Sequence, residues 1–226
     1  MNRIVIVFFL TSLAGFAHAQ LNMPPASPDA EFKQQIGFGE VEVKYSRPSA
    51  RGRVIFGGLE PFGKIWRTGA HDATTIRFSE SVKLNGNEIP AGTYSLFTIP
   101  NQDEWTIIIN KASVMHGTSD YTQEQDLVRF AAKAEKSARY YETFTIEVND
   151  LSKEEAGLFL LWENTQVKVT IKMNVDDKVM AEINDRINVK KEDRASLFYQ
   201  SSAYYFNNNK DLKQAYAWVQ IANSKA

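Results

Sequence analysis

"TTIRFSESVKLNGNEIPAGTYSLFTIP", residues 74–100, decides the class of fold. Apolar residues recur at every second position through Ile76 and Phe78 and through Val82 and Leu84, the spacing of a strand with one buried face. The Asn85-Gly86 pair breaks the run with residues that tolerate the positive φ of a tight hairpin turn. Pro90-Ala91-Gly92 then launches a further strand, "TYSLFTI".

The same pattern extends in both directions. Upstream, "VEVKYSR" alternates Val41, Val43 and Tyr45 against Glu42, Lys44 and Ser46. Downstream, a turn at Asn101–Glu104 leads into "WTIIIN", and alternation returns in "TFTIEV" (residues 143–148) and "QVKVTIKM" (residues 166–173). "DLVRFAA" is a further candidate strand, and "GLFLLWE" is so continuously apolar that it predicts a strand covered on both sides. Eight or nine short strands without intervening helices predict a mainly β fold, an antiparallel β-sandwich or jelly-roll-like body over residues 34–175. Residues 20–33, rich in proline, read as an extended N-terminal arm.

From about Asp176 the period changes. "DDKVMAEINDRI", "KEDRASLFYQSSAYYFNN" and "DLKQAYAWVQIAN" carry helical spacing, so residues 176–226 are expected to be helices. The last two segments fit one tetratricopeptide-type hairpin, with Ala203, Ala215 and Ala222 where two helices approach closely. Such a unit cannot bury its apolar face alone, so Trp218 is expected to dock the tail.

The N-terminus points to a compartment. A short positive start at Arg3, an apolar run from Ile4 to Ala14 and the small-x-small Ala17-His18-Ala19 together read as a signal peptide over residues 1–19, cleaved after Ala19. The expectation is a periplasmic or secreted protein with no membrane span once the leader is removed. The chain has no cysteine, so disulfides are excluded. A formal charge of −1 gives no reason to expect nucleic acid as a partner.

The series "YSRPSARGRVIFG", "GKIWRTGAHDATTIRFS", "IPAGTYSLFTIP", "WTIIINK" and "LFLLWENTQVKVTI" resembles a secreted Bacteroidota-type family known as domain of unknown function 2911, over roughly residues 24–173. The resemblance implies a β-rich envelope protein, in several members with a tetratricopeptide-like tail, and brings no activity, cofactor or catalytic residue. Where the family pattern reads Trp-Arg-Thr-Gly-Ala-Asn-Glu-Ala-Thr, this chain has His71 and Asp72, which implies that no imidazole is required there.

The remaining candidates for chemistry concentrate between Arg47 and Arg77, where Arg47, Arg51, Arg53, Lys64, Arg67 and Arg77 face only Glu60 and Asp72. Guanidinium forks suit carboxylates, sulfates and phosphates. Arg47, Arg51, Arg53, Trp66, Arg67, His71 and Asp72 are therefore the ligand-binding candidates, with Trp66 able to stand exposed beside Arg67. Their partner would be an anionic small molecule, a glycan or an envelope protein. The structural alternative pairs these arginines with Glu42, Glu142, Glu147 or Glu163 across strands. His71, Asp72, His116 and Glu163 do not stand at zinc-ligand spacing, so neither a metal nor any other cofactor is expected. There is no nucleophile elbow, and the glycines of "RGRVIFGGLEPFGK" precede no helix that could hold phosphate. A non-enzymatic binding module is the leading expectation, with a hydrolase using acidic residues as the alternative.

Overall fold

The computed structural model describes residues 23–225, so the expected leader and the expected cleavage after Ala19 lie outside the described residues. Asn85 and Gly86 both take positive φ, 45° and 86°, and join β4 (Val82–Leu84) to β5 (Asn87–Ile89) as the pair of residue types predicts. The other strands are β1 (Asp29–Ile36), β2 (Gly39–Ser46), β3 (Thr74–Phe78), β6 (Gly92–Ile99), β7 (Glu104–Asn110), β8 (Asp126–Asn149) and β9 (Glu155–Met173). β1 begins inside the stretch read as an arm. Its alternate residues are only half-buried, so the periodicity there is faint beside the three prolines.

All neighbours pair antiparallel, in the order β1-β2-β3-β6-β7-β8-β9-β4-β5. The sequence suggests separate short strands at "DLVRFAA" and "TFTIEV", and again at "GLFLLWE" and "QVKVTIKM". Instead each pair is one long strand, β8 and β9. The first third of β8 pairs with β7, and from Ala134 onward it pairs with β9. Register shifts between Lys136 and Thr145 bend it between the two ladders, as bulges do. The single open sheet thereby folds over on itself. Val43, Ile76, Leu96 and Ile107 from one half meet Ile146, Leu160, Val167 and Ile171 from the other in one core. The Tyr45 hydroxyl joins the halves, donating to the Ile146 carbonyl at 3.2 Å and accepting from its N–H at 3.0 Å. "GLFLLWE" is buried from Leu158 to Trp162 without interruption, as its composition predicts.

The tail forms α1 (Val175–Ile183), a π-helical turn at Asn184–Val189, α2 (Ala195–Asn207) and α3 (Leu212–Ser224). Asp211 caps α3 by accepting from the N–H groups of Lys213 and Gln214. Ala215 and Ala222 are buried, and the Ser202 hydroxyl donates to the Ala215 carbonyl at 2.7 Å, closing α2 on α3. Trp218 does not dock this unit on the sheet. It packs on Tyr205, with ring centroids 4.7 Å apart, and on Ile183, Phe198 and Ala222, so it holds the three helices to one another. The junction with the sheet lies at α1, where Gly37 leaves room for Val175 and Lys178 pairs with Glu80. A Cβ at Gly37 would stand 2.5 Å from the Val175 side chain, so only glycine fits. No helix among the described residues is long and apolar enough to cross a membrane.

Candidate functional site

The corner at residues 66–74 is a closed structure built from its own side chains. Trp66 is 2% exposed, so it is no rim residue. Its ring lies in an aromatic cluster with Phe56, Trp105, Phe144 and Trp162, at centroid distances of 5.9, 6.0, 4.9 and 5.7 Å. Its main chain pairs with Thr98 in both directions, and its indole N–H donates to the Gly69 carbonyl at 3.0 Å. Thr68 is fully buried at φ 56°, a conformation that costs a β-branched residue about 1–2 kcal/mol. The Thr74 hydroxyl, 2.6 Å from the Thr68 carbonyl, and the Thr68 hydroxyl, 3.2 Å from that of Thr98, hold it there. A Cβ at Gly69 would meet the Ser46 carbonyl at 3.0 Å and the Thr74 hydroxyl at 3.1 Å, which explains the glycine. The Trp-Arg-Thr-Gly…Thr pattern therefore encodes a turn.

Three side chains stand at the outer side of this corner. Arg67 donates to the His71 carbonyl at 2.9 Å, and His71 is exposed with φ 55°. Asp72 meets His116 at 2.6 Å, both well exposed. Among the described residues no three His, Asp or Glu side chains come together as a metal site, and Glu163 instead accepts the Ile55 N–H at 3.1 Å.

The other arginines lie against the bent segment of β8. Arg47 donates to the Phe144 carbonyl at 3.1 Å and to the Thr145 hydroxyl at 2.8 Å. Arg51 reaches back to the Ala26 carbonyl at 2.9 Å, fastening the N-terminal segment, while its main-chain N–H donates to the Glu142 carboxylate. Arg53 clasps the carbonyls of Ala50 and Ser49 at 2.9 and 2.7 Å. The expected cross-strand pairs are not found: among the described residues none of the guanidinium groups of Arg47, Arg51, Arg53 and Arg67 pairs with a carboxylate, and each instead donates to a main-chain carbonyl. Glu42, offered as a partner, is occupied by Lys44, Lys33 and Arg77, and the two lysines hold its carboxyl down at about 2.

Main-chain carbonyls orient a guanidinium without cancelling its charge. Arg51 and Arg53 thus remain exposed cations, in a loop that also exposes Val54, Leu59, Phe62 and Lys64. Tyr140 is also exposed here, and its hydroxyl lies 3.4 Å from Glu142, whose carbonyl accepts the Ala50 N–H. Glu60 is the anion of this loop. Burial pushes its carboxyl up to about 7 despite the opposing pull of Arg67. The face combines cations, apolar knobs and a carboxyl near neutrality. Tyr140, Glu60 and the apolar knobs escape a reading by charge and spacing. Nothing in "RGRVIFGGLEPFGK" marks Val54, Leu59 and Phe62 as turned outward while Ile55 is fully buried.

Residues 27–171 match a family model described as "Protein of unknown function (DUF2911)". No curated protein matches the chain, and no solved structure does. The matched span contains every strand up to the last two residues of β9, together with the corner and the arginine loop, and the helices lie beyond it. The chain belongs to the DUF2911 family.

Proposed function

We propose that this chain is a non-enzymatic binding module that holds an anionic glycan or protein partner on the face formed by Arg51–Lys64 and the bent segment of β8. The carrying observation is the state of Arg51 and Arg53: both are fixed on carbonyl oxygens, lack a carboxylate partner among the described residues and stand just before exposed Val54 in the chain. Pre-oriented cations cost little ordering on binding, and apolar neighbours add about 25 cal/mol for each Å² they bury. An outward-facing set of knobs suits a macromolecular surface better than an enclosed small anion. The leader-like residues 1–19 support a periplasmic or secreted location, where such partners are available.

The test uses three immobilised probes: heparin, vesicles containing phosphatidylglycerol and a glutamate-rich peptide. The protein binds at least one, more weakly as salt rises, and the double variant Arg51→Ser/Arg53→Ser loses about tenfold in affinity. A control, Lys83→Ser, binds as the parent does. Failure to bind any probe, or equal losses in variant and control, removes the proposal. A hydrolase is the second reading, favoured by Glu60, whose carboxyl near 7 suits a general acid or base at neutral pH. Turnover of any ester or glycoside substrate that disappears in Glu60→Gln would establish it.

A further inference from the structure

A cleft of about 1290 Å³ opens between the sheet and the helical tail, lined by none of the seven residues that sequence singles out. Val82 and Ile89 of the β4–β5 hairpin and Met173 at the end of β9 border it with their side chains buried in the core, and its accessible apolar surface comes from Pro90, Leu127 and Val175 of α1. Facing them is the C-terminal end of α2, with Tyr204 and Asn207, followed by Asn209 in the next turn.

Charge in the cleft is internally settled. Lys83 lies 3.3 Å from Glu88, Lys172 lies 3.0 Å from Glu154, and Lys210 lies 2.5 Å from Asp176. The two remaining charges in the lining, Lys153 and Asp177, are opposite in sign. An ionic ligand would have to break one of these pairs, whereas a neutral polar ligand would not. Spare hydrogen-bonding capacity is present: Ser81, Asn207 and Asn209 are exposed, and among the described residues their side chains make no hydrogen bond. Hydroxyl and amide groups both donate and accept, as sugar hydroxyls do. Beside them exposed Pro90 and the half-buried side chains of Leu127, Val175 and Tyr204 offer apolar surface to the C–H faces of sugar rings. The volume exceeds the roughly 300–1,000 Å³ of a pocket for one small molecule, leaving room for several linked rings. An extended peptide is a poorer match, because the edge strand β5 offers only three residues before Pro90.

We infer that this cleft is a second binding site, separate from the arginine face, and that it takes a neutral oligosaccharide. Bound there, the sugar bridges the sheet and the tail.

Calorimetric titration of the full chain with chitohexaose, cellohexaose and maltohexaose tests this. At least one binds with a Kd between about 1 μM and 1 mM, with little salt dependence. The double variant Asn207→Ala/Asn209→Ala, at exposed positions, weakens it about fivefold or more. Arg51→Ser/Arg53→Ser leaves it unchanged, so failure here is distinct from failure at the arginine face. Hydrogen exchange on the bound protein slows at Lys153–Glu154 and Asn207–Lys210. Absence of binding by all three sugars, equal binding by the asparagine variant, or binding only of a mixed-sequence peptide overturns the inference.

Discussion

Glu60→Gln should stabilise the fold, and increasingly so as pH rises. Glu60 carries a carboxyl raised from 4.5 to about 7 by burial, against the attraction of Arg67. A raised carboxyl favours the protonated fold, so its contribution is complete below pH 4.5 and is lost as pH climbs through about 7. The 2.5-unit difference sets a ceiling of about 3.4 kcal/mol at 1.36 kcal/mol per unit. Glu60 is only partly buried, so water screens it, and roughly half of the ceiling, about 1–2 kcal/mol, is the expected effect. Glutamine has similar shape and no charge to desolvate. Urea unfolding of both proteins at intervals from pH 4.5 to 8.5 isolates this group, because every other titration is common to the two. The stability difference grows by about 1–2 kcal/mol across that range, most steeply near pH 5–6.5, between the unfolded and folded values, and levels off above about 7. A difference that stays flat would mean that Glu60 titrates as a solvated carboxylate and that the loop is more open than described.

Trp66→Ala should cost about 3–5 kcal/mol, since it empties the centre of the aromatic cluster, and should be read by urea unfolding. Gly69→Ala, which presses a methyl against the Ser46 carbonyl, should cost about 1–3 kcal/mol in the same assay. His71→Gly should raise stability by about 0.5–1 kcal/mol, because His71 is exposed at φ 55° and contributes its carbonyl rather than its ring to Arg67.

The sheet was readable because burial on one face writes a period of two, as in Val41, Val43 and Tyr45. The hairpin at Asn85-Gly86 was readable from backbone chemistry alone. The join of "DLVRFAA" to "TFTIEV" was not, because a bulged strand interrupts its own alternation: Ser137 to Glu142 shows no period of two although it lies within β8. Trp66 and Arg67 show why the site was harder still. Adjacent residues of the corner point to opposite sides, one into the core and one outward, and Thr68 takes a backbone conformation that no residue type announces. The arginines were legible as a charge excess, but whether a guanidinium meets a carboxylate or a carbonyl depends on contacts about 100 residues apart in the chain, as between Arg47 and Phe144. The cleft was invisible for the same reason, since residues 81–90 and 204–210 share no pattern.

The division between a structural corner and a binding face is tested most directly by measuring stability and probe affinity together in two variants. Gly69→Ala should lower the melting temperature by several degrees and leave affinity for the anionic probe intact. Arg51→Ser/Arg53→Ser should lower the melting temperature by only about 2–4 °C and reduce affinity about tenfold. If the arginine variant instead loses stability without losing affinity, or the glycine variant loses affinity while fully folded, the roles assigned to the two segments are reversed.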